Sequence, residues 1–174
     1  MEIRKRKETD CLAAISRVYE ESWRAAYQGL LPQAYLDAIP AGYWVPYLQQ
    51  AGRECLLLLD GSQIVGTVSY CRSRLPELAK WGEIISIYLL PAYWGKGYGR
   101  MLFAAAAEEL EKMGCQGLFL WVLEGNRRAE RFYQRMGLHP HASYLEDTIG
   151  GMAVREVQYR REAQRLPQEE SAAE

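Results

Sequence analysis

The chain has 174 residues, enough for one domain with a substantial core, and 49% of them are hydrophobic. Its 21 lysines and arginines nearly cancel 22 acidic residues, which argues against the basic field of a nucleic-acid or anionic-membrane binder. "MEIRKRKETD" holds no signal-peptide core and no apolar run of about 18 residues comes after it, so the expectation is a cytoplasmic protein without a membrane span.

In chain order, "EIRKRK" alternates weakly as a short first strand. Asp10 is placed to cap a helix, "CLAAISRVYEESWRAAY", in which Leu12, Ile15, Val18, Tyr19, Trp23 and Ala26 recur at helical spacing. Pro32, Pro40 and Pro46 break the next 25 residues into short helical pieces. "ECLLLLD" and "QIVGTVSYCRS" read as a hairpin about the turn "DGS", and "WGEIISIYLL" as a third β run stopped by Pro91. A glycine-rich stretch then opens a helix that runs to about Met113 and ends at Gly114. "QGLFLWVL" is apolar enough for the middle of a sheet, and Asn126 can cap "RRAERFYQRMG". The stretch from Leu138 to Glu162 offers two strands about Gly150 and Gly151. Residues 1–162 therefore read as one domain, and 163–174, "AQRLPQEESAAE", as a polar disordered tail. The order ββαβαββ predicts an α/β (α+β) fold, a mixed sheet with helices on both faces.

Two residue types need a separate reading. Cys11, Cys55, Cys71 and Cys115 are scattered among apolar neighbours without a CxxC pair, which points to reduced, buried structural thiols. His139 and His141 in "HPH" have no third or fourth ligand nearby, so a surface turn is expected and no metal.

The glycines Gly95, Gly97 and Gly99 stand where a helix begins, although each costs a helix about 1 kcal/mol relative to alanine. "GKGYGR" lacks the spacing and hydroxyl of a P-loop. Its GxGxG spacing, with Glu124 ending the next strand, leaves a nicotinamide-binding reading open. The third reading is a loop whose backbone N–H groups wrap a pyrophosphate at the positive helix end, with Lys96 and Arg100 adding charge.

Placed after "EIISIYLLP", the stretch from Tyr93 to Gly99 resembles the acetyl-CoA loop of the GNAT superfamily of acetyltransferases. The family's Gln/Arg-x-x-Gly-x-Gly/Ala corresponds to "WGKGYG", from Trp94 to Gly99, with Gly97 and Gly99 matching. Trp94 stands where Gln or Arg is usual. A second block, "VLEGNRRAERFYQRMGL", is similar to the family's in Asn126, Ala129, Phe132, Tyr133 and Gly137, with Leu138 in place of the usual Phe. "SWRAAYQGLLPQAYLDAI" looks like the helical lid of small members and "EVQYRRE" like their last strand, so the likeness spans about residues 2 to 161.

The resemblance implies a mostly antiparallel sheet and direct transfer of acetyl from acetyl-CoA, with no metal, to an amine of a small molecule or peptide. It implies cofactor contacts at Ile87, Tyr88 and Leu89, where a splayed fourth strand offers backbone groups to the pantetheine arm. Further contacts are implied at Trp94, Gly95, Lys96, Gly97, Tyr98, Gly99 and Arg100 in the loop, and at Asn126 and Tyr133. A lysine-like amine is only roughly one part in 2,500 neutral at pH 7, so a base or water relay helps. Glu83, 11 residues before Trp94, stands where members with a strand-four glutamate keep that base. Glu124 is the runner-up, and pairing of Glu83 with Lys80 or an arginine is the plain structural alternative. Tyr133 matches the general acid, although a phenol of pKa about 10 favours hydrogen-bond donation over full proton transfer to a thiolate of about 8.5. Trp23, Tyr27, Tyr35, Tyr43, Trp44 and Tyr47 crowd the N-terminal section, where core packing accounts for most of them and one or two can wall the acceptor pocket. A CoA-binding sensor without turnover and a protein N-terminal acetyltransferase remain alternatives, and a homodimer is left open.

Overall fold

The computed structural model describes residues 1–162, so the tail expected at 163–174 lies outside the described residues. Its strands are β1 (Glu2–Lys5), β2 (Glu54–Asp60), β3 (Gln63–Arg72), β4 (Gly82–Leu89), β5 (Gly117–Leu123), β6 (His139–Ile149) and β7 (Met152–Glu162). They form one sheet in the order β1-β2-β3-β4-β5-β7-β6, antiparallel at every pairing except β4 with β5. Helices α1 (Leu12–Ala26), α2 (Gln33–Ala38) and α3 (Val45–Leu48) belong to the N-terminal half, and α4 (Tyr98–Lys112) and α5 (Arg127–Arg135) to the C-terminal half.

Alternation along β3 explains the layers. Ser69 meets the Tyr19 hydroxyl of α1 at 3.0 Å, whereas Gly66, of opposite parity, faces Leu102 of α4. The two long helices therefore cover opposite faces. Because both faces of the central strands are covered, Leu56 to Leu59 of β2 are all buried, which is why that stretch reads as continuously apolar. Helix α5 joins the α4 side, where Phe132 meets Phe103 edge to face at 6.4 Å.

The prolines act as expected. Pro32 precedes α2, Pro40 follows it, and Pro46 sits in the first turn of α3. What anchors this broken section is polar and is not legible in the sequence. Ser16 donates to Glu20 at 2.7 Å. The same Glu20 oxygen accepts the Gly42 N–H at 2.8 Å, and the Trp44 N–H donates to Ser16 at 3.0 Å. One buried pair on α1 thus satisfies two loop amides that burial would otherwise leave unpaired.

Three local expectations need correction. The residue at the N-cap of α1 is Cys11, with no side-chain cap. Asp10 instead accepts the Lys7 N–H at 2.7 Å and both Arg4 guanidinium nitrogens, at 2.6 and 2.8 Å, because a bidentate arginine is the stronger partner. Cys71 and Cys115 are buried, but Cys11 is exposed at that helix start. His139 and His141 lie on exposed β6 and not in a turn, since β6 extends to pair with β7 from His139 onward.

Asp10 gives a pH prediction. The Arg4 hydrogen bond, assisted by the Lys7 amide, lowers its carboxyl from 3.8 to about 2. A depressed carboxyl stabilises the fold above the unfolded pKa, and that stability is lost as pH falls through the folded value. Asp10→Asn is therefore expected to cost about 1–2 kcal/mol at pH 7, allowing for solvent screening. The difference in urea midpoint from wild type should shrink as pH drops from about 4 to 2; a pH-independent difference would contradict it.

Candidate active site

Strands β4 and β5 pair only at Gly82 with Leu118 and Glu83 with Phe119, then part. The departure coincides with a bulge in β4, where Ser86 faces Ser69 but Ile84 faces Tyr70, leaving Ile85 as the extra residue. Beyond the bulge, the Leu90 N–H donates to the Val65 carbonyl at 2.9 Å. Antiparallel alternation then turns the backbone groups of Tyr88 and Ser86 toward β3, and those of Ile87 and Leu89 toward the gap left by β5. The Leu89 carbonyl is occupied, by the Ser22 hydroxyl at 2.6 Å and the Trp94 indole N–H at 2.8 Å. The Ile87 amide and carbonyl and the Leu89 N–H are the strand-like groups facing the gap.

The glycine loop closes one end of this gap. Gly95 and Gly97 have φ of 73° and 83°, a region that favours glycine, and Gly97 is the N-cap of α4. That helix start has no side-chain cap and no acidic residue in its first turn. At α5, by contrast, Asn126 accepts the Ala129 N–H at 3.1 Å and Glu130 sits in the first turn. The α4 terminus thus presents free amides with exposed Lys96 and Arg100 beside them, an arrangement suited to an anion. Trp94 explains its departure from the usual Gln or Arg. Its indole ties the loop to β4, and the guanidinium of Arg128, on α5, lies 3.4 Å from its ring centroid. A cation thus stands beside the loop from another helix.

On α5, Tyr133 packs beside Phe132, with ring centroids 5.0 Å apart. Burial raises its hydroxyl well above the ordinary phenol value, and the neighbouring Tyr27 adds to the shift. The hydroxyl therefore remains a donor throughout the neutral range.

Between α1 and the sheet lies a cavity of about 220 Å³. Tyr19, Trp23, Tyr27, Trp44 and Tyr47 wall it from above, and Ile85, Ser86 and Tyr88 of β4 face it from below. Trp23 donates to the Tyr88 hydroxyl at 2.9 Å, and Tyr19 meets Ser86 at 3.0 Å, so the wall is locked to β4. Four of the six N-terminal aromatics, Trp23, Tyr27, Trp44 and Tyr47, line this one space, more than the one or two expected, whereas Tyr35 and Tyr43 do not.

The carboxylates divide. Glu83 is 2% exposed, and Arg74 donates Nε to its Oε2 at 2.9 Å and Nη2 to its Oε1 at 2.6 Å. The pairing with an arginine that the sequence left open is present, and Glu83 is not among the residues lining the cavity. Glu124 is exposed in the loop after β5. The carboxylate that does line the cavity is Glu156, on β7, which sequence reading missed. Among the described residues no three His, Cys, Asp or Glu side chains gather as a metal site, and no helix is long and apolar enough to cross a membrane.

A parted β4–β5 pair beside an uncapped helix is the arrangement that the resemblance of the glycine loop implies. Residues 13–138 match the Acetyltransferase (GNAT) family, and the chain belongs to that family. It is 33% identical over 143 residues to an uncharacterized N-acetyltransferase of Archaeoglobus fulgidus, covering 79% of this chain and 92% of the relative. Spermidine N(1)-acetyltransferase of Thermoplasma acidophilum is 27% identical over 168 residues, covering 91% and 98%. Among solved structures, the PaiA N-acetyltransferase of Thermoplasma acidophilum in complex with coenzyme A has the same fold. It superposes with a TM-score of 0.71 at 21% identity, over 94% of this chain and all of that one. Family membership sets aside the nicotinamide reading of the glycines.

Proposed function

We propose that this protein transfers acetyl from acetyl-CoA to a primary amine of a small molecule held in the aromatic cavity. The observation that carries the reading is the parting of β4 from β5, since residues of both strands, Ile85, Tyr88, Trp121 and Leu123, line the cavity under α1, and the uncapped start of α4 follows β4 in the chain. Four unpaired thiols suit the reducing cytoplasm as its setting.

Acetyl-CoA, when bound, supplies the thioester whose acetyl group ends on the amine. The chain's own groups fit such a molecule. Ile87 offers its amide and carbonyl, and Leu89 its amide, as strand-like partners for an amide-bearing arm. Gly97, Tyr98, Gly99 and Arg100 present backbone to the phosphates, with Gly95 shaping the turn and Lys96 and Arg128 supplying charge. Asn126 holds the start of α5 and thereby the helix that carries Tyr133. The Tyr133 hydroxyl donates a hydrogen bond that strengthens as charge develops on sulfur. An incoming ammonium must lose one proton before its nitrogen can attack. Glu83 takes that proton through an intervening water, since a carboxylate paired with arginine keeps lone pairs on each oxygen. Arg74 holds the carboxylate in place and the proton passes on to solvent.

The loop is tested by Gly97→Val. A Cβ at Gly97 meets no protein atom within 4 Å, so the protein alone has room for the side chain. The branched group strains the backbone and intrudes on the phosphates, and acetyl-CoA should bind at least about tenfold more weakly, or about 1.4 kcal/mol. Unchanged affinity by calorimetry, with the fold intact, would reduce the glycines to a turn.

A further inference from the structure

Glu156 is the one charged residue among those lining the cavity. It sits on β7 opposite Leu123 of β5, and Leu123, Trp121 and Ile149 line the same space. Its environment differs from that of Glu83. Burial, with Asp147 of β6 adding to it, pushes the Glu156 carboxyl above its usual value, and no arginine or lysine among the described residues offsets this. The adjacent Arg155 has the opposite parity on β7 and is engaged elsewhere, 3.6 Å from Glu146 and stacked on Tyr144. A half-buried carboxylate without a cation is costly to maintain, and a cationic ligand would remove that cost. Trp23, Tyr27, Trp44 and Trp121 line the same cavity, and aromatic rings attract a cation over their faces.

We propose that this cavity selects a primary alkylamine or arylalkylamine with no carboxylate beside its nitrogen, and that Glu156 receives the ammonium. A carboxylate next to the amine would be brought into the same low-dielectric space as Glu156, where like charges repel. The size agrees. An apolar cavity of about 150 Å³ is enough for benzene, and this one is about 220 Å³. Tyr27 lines the cavity together with Glu156. The inference rests on the acetyl-transfer reading for the step after binding, but the binding itself is measurable alone.

Two matched pairs test it: phenethylamine against phenylalanine, and butylamine against norvaline, which differ only by the carboxylate. Each is titrated calorimetrically into the full chain, wild type and Glu156→Gln, and then assayed for acetylation. In wild type each amine should bind at least tenfold more tightly than its amino acid. Glu156→Gln should weaken amine binding about tenfold, narrow the gap within each pair, and leave acetyl-CoA affinity unchanged. Equal binding within both pairs, binding of neither amine, or an unaltered Glu156→Gln would overturn the proposal. The wild-type comparison needs no variant, so a misfolded mutant does not spare it. If the amines bind selectively but acetyl-CoA does not bind, the transfer reading fails and the cavity assignment stands; if acetyl-CoA binds and the pairs are equal, the reverse holds.

Discussion

Replacing Glu83 by glutamine is expected to lower kcat/KM by up to about 10²–10⁴, most visibly below the acceptor's pKa, with acetyl-CoA affinity close to wild type. The reasoning is chemical: glutamine keeps the shape and an oxygen for Arg74 but has no useful basicity. A destabilisation accompanies it, because the pair joins a carboxylate that is 2% exposed to an arginine. The arginine side chain is itself 53% exposed and regains water when the charge is lost, which keeps that cost well below that of a fully buried pair. Steady-state rates measured well below the melting temperature separate the two effects. Normal turnover with a lowered melting temperature would make Glu83 a structural partner of Arg74. If Glu124→Gln fails where Glu83→Gln works, the base is Glu124.

Tyr133→Phe is the second large effect, and it separates chemistry from packing. The ring and its contact with Phe132 are kept, so a purely structural tyrosine should lose no more than about 1 kcal/mol of stability. A hydroxyl that faces the thioester should instead lower kcat about tenfold or more and leave acetyl-CoA affinity unchanged, since the sulfur's charge exists only as the bond breaks. A donor with a more acidic thiol needs less help, so the loss should shrink with it. Equal rates for mutant and wild type with both donors would remove Tyr133 from the mechanism.

The parts of this molecule legible in the sequence are those governed by local period and punctuation. The helix of α1, the hairpin of β2 and β3, and the glycine-led start of α4 follow from spacing, turn residues and positive φ at Gly95 and Gly97. Asn126 caps α5 as its position suggests. The parting of β4 from β5 is implied only by resemblance, because it coincides with a bulge at Ile85 that no local pattern announces. Long-range partners are the main omission. Asp10 reads as a cap because nothing local shows Arg4 folding over it, and the Ser16–Glu20 pair gives no sign of its loop partners. Trp94 reads only as a departure from the usual Gln or Arg, since the fold alone brings Arg128 to its ring. Glu156 is invisible for a related reason. In "VREVQYRRE" charged and apolar residues mix, and only the register with Leu123 shows that one carboxylate turns inward.

The most direct test of the account is a thiol-release assay on the full chain with acetyl-CoA and a panel of amines, the products identified by mass. The account predicts release that depends on the amine, with one acetylated amine formed for each thiol freed. Tight acetyl-CoA binding with no amine-dependent release across the panel would contradict it and leave a CoA-binding module without turnover.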